Sequence, residues 1–157
     1  MFALNRAGLV VKPNERLSIK LEGFFDFNTF GYLTGLPFME IKTHQINNTA
    51  IAEVVSQGIV INNIEDGIDL LGNVYYQGFD KMILYEKNLT PEFFDLKTKM
   101  AGEILQKFSN YRMRLIIVGD FTRYESKSLK DFIFESNNGR MVNFVGSLEE
   151  AIDKFKI

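Results

Sequence analysis

Two aspartates stand where a strand-like run gives way to a helix-like one: Asp95 in NLTPEFFDLKT (88–98) and Asp120 in VGDF (118–121). Carboxylates placed that way can trade protons with a substrate, or hold Mg²⁺ together with water. Each also has a plain structural use. Asp95 precedes the periodic run from Leu96, where its side chain can accept the free N–H groups of a first helical turn. Asp120 ends an apolar strand after Gly119, a place for a functional side chain and equally for an Asx-turn. Near them in sequence lie Glu86, Asn88 and Thr90 on one connection, and Thr122, Arg123 and Ser126 on the next. Ser126 and Ser128, flanked by Arg123, Lys127 and Lys130, could receive or bind a phosphate, or simply cap a helix. Phe93 and Phe94 either anchor their loop in the core or stand out as a binding patch.

Other chemistries lack their residues. The 157-residue chain has no cysteine and a single histidine, His44, so thiol catalysis, thiolate zinc and a nucleophilic triad are unsupported. None of the motifs G-x-G-x-x-G, G-x-x-x-x-G-K-[ST] or G-x-S-x-G occurs. No catalytic residue, metal or cofactor is therefore assigned, and whether the protein is an enzyme stays open. Lys+Arg 18 against Asp+Glu 20 gives a net charge of −2, too little positive field to make nucleic acid a partner. No apolar run has the length of a membrane span, and the first residues do not read as a secretory signal. Together with the missing cysteines, this predicts a cytoplasmic protein.

These residues must be positioned by a domain of ordinary size. The texture changes near Pro37, so residues 1–38 read as an N-terminal extension and 39–157 as one α/β domain. Leu17, Ile19 and Leu21 alternate with polar residues as a strand would. The extension is either an arm over a sheet edge or sequence upstream of a true start at Met39; the absence of helix and capping signals leans to the second. AIAEVV (50–55) and IVIN (59–62) predict an antiparallel hairpin turning at Gly58. Asn63 with Asp66 then caps a helix carrying Ile64, Ile68, Leu71 and Tyr75, stopped by Gly78. KMILY (81–85) is a buried strand, and Met100, Ala101, Ile104, Leu105 and Phe108 share one face of the next helix. RLIIVGD (114–120) is apolar on both faces, as a central parallel strand must be. Ser128 with Asp131 opens a further helix, MVNFV (141–145) is a strand, and Ser147 with Glu150 caps the terminal helix. The order β-β-α-β-α-β-α-β-α predicts a mostly parallel sheet with an antiparallel edge hairpin, and ligands belong at the carboxyl ends of its strands.

The stretch from DLLGNVYYQGFDKMILYEKNLTPEFFDLKTKMAGEILQKFSNYRMRLIIVGDF through SKSLKDFIFESNNG to SLEEAI resembles a family of small bacterial proteins catalogued as a domain of unknown function. The resemblance covers about residues 39–157 and carries no catalytic residues with it. The element order is also similar to that of the STAS domains, the anti-sigma-factor antagonists and their relatives. That likeness implies a regulatory module that binds a protein partner, switched by serine phosphorylation in the loop after the strand that here is KMILY. The loop holds Asp95 and no serine, so a fixed negative charge would replace the switch. The leading expectation is a non-enzymatic STAS-like interaction module, or a homo-oligomer, acting through an exposed aromatic and acidic loop 86–98. The alternative is a small-molecule or anion-binding protein, or an enzyme, using acidic residues at the rim. The candidate contact residues are Glu86, Thr90, Phe93, Phe94, Asp95, Asp120, Thr122, Arg123, Ser126 and Ser128.

Overall fold

Strand β3 (Met39–Ile46) turns back on β4 (Thr49–Ser56) through Asn47 and Asn48, both with positive φ (47° and 64°). Two left-handed residues in succession make the tight turn whose twist matches paired strands, and asparagine tolerates that conformation better than most side chains. The computed structural model describes residues 39–157 and two short antiparallel strands, β1 (Ala3–Leu4) and β2 (Val10–Val11). The strand expected at Leu17–Leu21 and the two readings of residues 1–38 lie outside the described residues.

The sheet runs β3-β4-β5-β6-β7, with β5 (Lys81–Tyr85), β6 (Arg114–Val118) and β7 (Val142–Val145) parallel to β4 and only β3 antiparallel. A mostly parallel α/β sheet with one antiparallel edge was expected, and this is the fold. The residues of the hairpin were not: 50–55 pair with 39–46 rather than with 59–62. Ile61 instead makes a parallel bridge to Leu89, and Gly58 is not among the residues with positive φ. Asn88 explains the diversion. Its side-chain N–H₂ donates to the carbonyls of Ser56 (2.9 Å) and Gly58 (2.7 Å), and its backbone carbonyl accepts from Val60 and Ile61. The segment is thus stitched to the loop after β5.

One face of the sheet is covered by α1 (Ile64–Tyr76), α3 (Met100–Asn110) and α4 (Lys127–Asn138), enclosing Leu70, Met82, Leu84, Ile104, Phe108, Leu115, Ile117 and Phe144. The other carries α5 (Leu148–Phe155) over Ile116, Val118 and Val145. All five residues expected on the inner face of α3 are buried. In α1 the buried stripe is Gly67, Leu70, Leu71 and Val74, leaving Ile68 and Tyr75 exposed, contrary to the sequence reading. Gly67 permits this because a Cβ there would lie 2.9 Å from Ile104 Cδ1. Caps fall at Asn63 and Ser147 as expected, and Gly78 (φ 92°) follows α1. Ser126, not Ser128, caps α4, so that helix starts earlier than its S-x-x-D signal. No helix among the described residues is long and apolar enough to cross a membrane.

Candidate functional site

Parallel pairing sets Tyr85 beside Val118, so the next residues, Glu86 and Gly119, are neighbours where the two strands end. Glu86 begins a single 3-10 turn (Glu86–Asn88) and is 7% exposed. Its side chain lies over Gly119: a Cβ on Gly119 would come within 2.4 Å of Glu86 Cβ, which is why this position carries no side chain. Burying a carboxylate is costly unless its lone pairs are satisfied. Here both oxygens are. Oε2 accepts the Asp120 backbone N–H at 3.0 Å, while Oε1 accepts the Tyr124 hydroxyl at 2.6 Å and an N–H of Arg123.

The donors come from one connection after β6, the 3-10 turn Phe121–Arg123 with Asp120 and Tyr124 at its two ends. Asp120 fixes that turn, its Oδ1 accepting from Thr122 N (3.1 Å) and Thr122 Oγ1 (2.5 Å). Those two bonds hold the Asp120 carboxyl below the usual carboxylate range. Tyr124 is shifted upward, to about 12, by burial and by its bond to Glu86. The Arg123 side chain is 64% exposed although one end grips a buried acid, and the Glu86 bond keeps its charge even more firmly in place.

On the other side, α2 (Pro91–Phe94) packs inward. Phe93 and Phe94 are both buried, so the exposed aromatic loop expected from the sequence does not exist. Phe94 meets Phe93 at 5.2 Å and Tyr124 at 5.1 Å between ring centres, and Phe121 continues to Phe144 at 5.2 Å. This aromatic layer joins the two connections. Above it lies an open hollow of about 440 Å³, lined by Ile59, Glu86, Lys87, Leu89, Pro91, Phe94, Arg123 and Tyr124.

Of the residues singled out in the sequence, the structure brings together Glu86, Phe94 and Arg123 at the hollow, with Asp120 and Thr122 supporting them. Thr90 is half-buried behind it, its N–H bonded to the Ile61 carbonyl and its own carbonyl accepting from Phe93 N. Asp95 is exposed and caps the short turn Leu96–Thr98 through Lys97 N at 3.1 Å. It does not cap α3, whose first residue follows Lys99 in a left-handed conformation. Each aspartate is thus engaged in its own turn, and among the described residues no group of three or more acidic or histidine side chains is arranged to hold a metal ion. Ser126 and Ser128 sit 3.0 Å apart at the start of α4, with Ser126 occupied as its cap.

Among the lining residues, Tyr124, Lys87, Ile59, Leu89 and Pro91 are not singled out by the sequence. Tyr124 carried one usable signal, an aromatic with a hydroxyl following Arg123 in a connection already marked by Asp120. Ile59 belongs to a run with the composition of a strand, which hides its place at the hollow. Comparison with curated proteins finds no match to the chain. A family model described as a domain of unknown function, DUF4180, matches residues 46–155, a span that takes in the hollow and both connections that build it. The chain belongs to that family.

Proposed function

We propose that the protein is a non-enzymatic, STAS-like recognition module of the bacterial cytoplasm, whose hollow binds an acidic group carried on an apolar segment of a partner protein. The observation that carries this reading is Arg123: one N–H holds Glu86 while most of the side chain faces solvent beside an apolar floor. Lys87 and Arg123 against Glu86 leave the lining with an excess of positive charge. Ile59, Pro91 and Tyr124 offer apolar surface next to it. Glu86 spends both oxygens on internal donors, and Asp120 and Asp95 each give one oxygen to their own turn, so they suit a scaffold better than a proton-transfer site. The element order and antiparallel edge support the STAS-like assignment, and the lack of cysteine supports a reducing compartment.

A free small acid is the second reading, favoured by a volume within the roughly 300–1,000 Å³ usual for ligand sites. Selection of random peptides on the immobilised protein tests the first. Peptides pairing Asp or Glu with Leu, Ile or Phe should be enriched, and should lose binding to Arg123→Glu and Lys87→Glu. Enrichment without acidic residues, or undiminished binding to both variants, overturns the proposal. Saturable binding of phenylacetate with no peptide enrichment would establish the small-acid reading instead.

A further inference from the structure

Helix α1 carries two apolar stripes where a surface helix needs one. The first, Gly67, Leu70, Leu71 and Val74, faces the core. The second runs along the outside through Ile68, Gly72, Tyr75 and Tyr76, with Ile68 38%, Tyr75 50% and Tyr76 92% exposed. Tyr111, at the C-terminal end of α3, extends it by meeting Tyr75 edge-on at 5.3 Å. Gly72 sits mid-stripe, and a Cβ added there would touch none of the described residues. A glycine in a helix interior costs about 1 kcal/mol relative to alanine. Gly67 has a packing reason; among the described residues Gly72 has none. What it permits is close approach of another backbone.

The charges along the stripe say which backbone. Its N-terminal end is acidic, with Glu65 and Asp66 in the first turn of α1 and no basic residue in the last. Its other end adjoins Tyr111 and exposed Arg112. A second copy laid antiparallel, with the two helices crossing at Gly72, sets Ile68 against Tyr76 of the other molecule, and does so twice. It also turns each acidic end toward the other molecule's Arg112 end and keeps the two acidic ends apart, about 10 Å to either side of the crossing at 1.5 Å rise per residue. A surface self-complementary under a two-fold axis is the signature of an isologous dimer.

We infer that the protein forms a two-fold dimer through the outer stripe of α1. The surface lies on a different element from the hollow, and the inference does not depend on the function proposed for that hollow.

Sedimentation equilibrium on the full chain tests it, with circular dichroism confirming that each variant is folded. The native protein should be dimeric at micromolar concentration. Tyr76→Glu and Gly72→Gln, both at open positions, should each weaken the dimer by roughly tenfold or more, as central interface substitutions do. Glu65→Arg and Arg112→Glu should each weaken it, and the double reversal should recover most of the loss. A native chain that stays monomeric to millimolar concentration overturns the inference. So does a dimer unaffected by Tyr76→Glu and Gly72→Gln, or a charge reversal with no recovery in the double variant.

Discussion

Replacing Glu86 by leucine asks how far one carboxylate organises the end of the sheet. Leucine keeps most of the side-chain bulk and removes both acceptors. The Asp120 N–H then loses its partner in a part-buried setting, at about 1–3 kcal/mol. The Tyr124 hydroxyl, half-buried, can turn partly toward water and contributes about half as much. Arg123, being 64% exposed, returns its charge to solvent, and its lost ion pair counts for at most about 1 kcal/mol. Against this, the leucine no longer buries a charge and gains about 1 kcal/mol of apolar burial. The net cost is about 2 kcal/mol.

Glu86→Gln should cost about 1 kcal/mol, because either orientation of the amide points an N–H₂ at a donor, and the cheaper one releases exposed Arg123 rather than the backbone N–H. Arg123→Ala should also cost about 1 kcal/mol, since Glu86 keeps two donors and water can enter. Urea unfolding followed by circular dichroism reads these differences: with a slope of about 2 kcal/mol per molar, the Leu variant's midpoint falls by roughly 1 M. A Leu variant within about 0.5 kcal/mol of the native protein would refute the reasoning, since surface substitutions do no more than that. An alanine at Arg123 more damaging than leucine at Glu86 would refute it differently, by showing that charge pairing outweighs backbone satisfaction.

Asn47 and Asn48 both hold positive φ, so Asn48→Val should destabilise the hairpin by about 1–2 kcal/mol and Asn48→Gly should be neutral or stabilising; thermal melts of the two variants check this. Gly72→Ala should stabilise the folded monomer by about 0.5–1 kcal/mol, whereas Gly67→Ala meets Ile104 and should show no such gain, a contrast read in urea midpoints under dilute conditions. Glu53, buried on β4, accepts from Tyr85 (2.5 Å) and contacts His44 Nε2 (2.6 Å). Burial alone would raise its pKa, yet those bonds and the nearby charges of His44 and Lys42 bring it below the usual 4.5. A depressed folded-state value means stability present above pH 4.5 and lost as pH falls through it, so the stability gap between native protein and Glu53→Gln should narrow in acid. A gap constant from about pH 7 to pH 3 would contradict that assignment.

The bounds of α1 and the start of α5 were legible because each is announced twice, by period and by a cap: Asn63 opens α1, Gly78 follows it and Ser147 opens α5. The first hairpin was not, for two reasons of local chemistry. Asn47-Asn48 is a weaker turn signal than Asn-Gly, and IVIN has the composition of a strand without a partner in the expected hairpin. What settles its fate is Asn88, whose amide draws the segment to the loop after β5 across 30 residues or more of sequence. In α1 the error has a similar root. Ile64, Ile68, Leu71 and Tyr75 satisfy helical spacing as well as the true inner stripe does, and a glycine gives no apolar signal although Gly67 is the residue that lets α3 approach. Ser126 and Ser128 are equally good caps by type, and only the hydrogen bond to Leu129 N separates them.

The same limit explains why the rim was half visible. Parallel strands joined through helices must gather their connections at one border, so Glu86, Asp120 and Arg123 could be named as neighbours from the order of elements alone. Order does not say who holds whom. Glu86 reaches its partners across 34, 37 and 38 residues, and all three belong to a turn whose shape depends on Asp120 capping Thr122. Asp120 is therefore read most economically as the residue that forms the turn presenting Arg123 and Tyr124, and Gly119 as the one that leaves room for Glu86 beneath them. On this reasoning Asp120→Ala should impair any ligand of the hollow through Arg123 without touching it. A variant that binds less while Arg123→Lys retains part of the affinity would separate positioning from contact; equal, complete loss in both would place Asp120 in direct contact with the bound group.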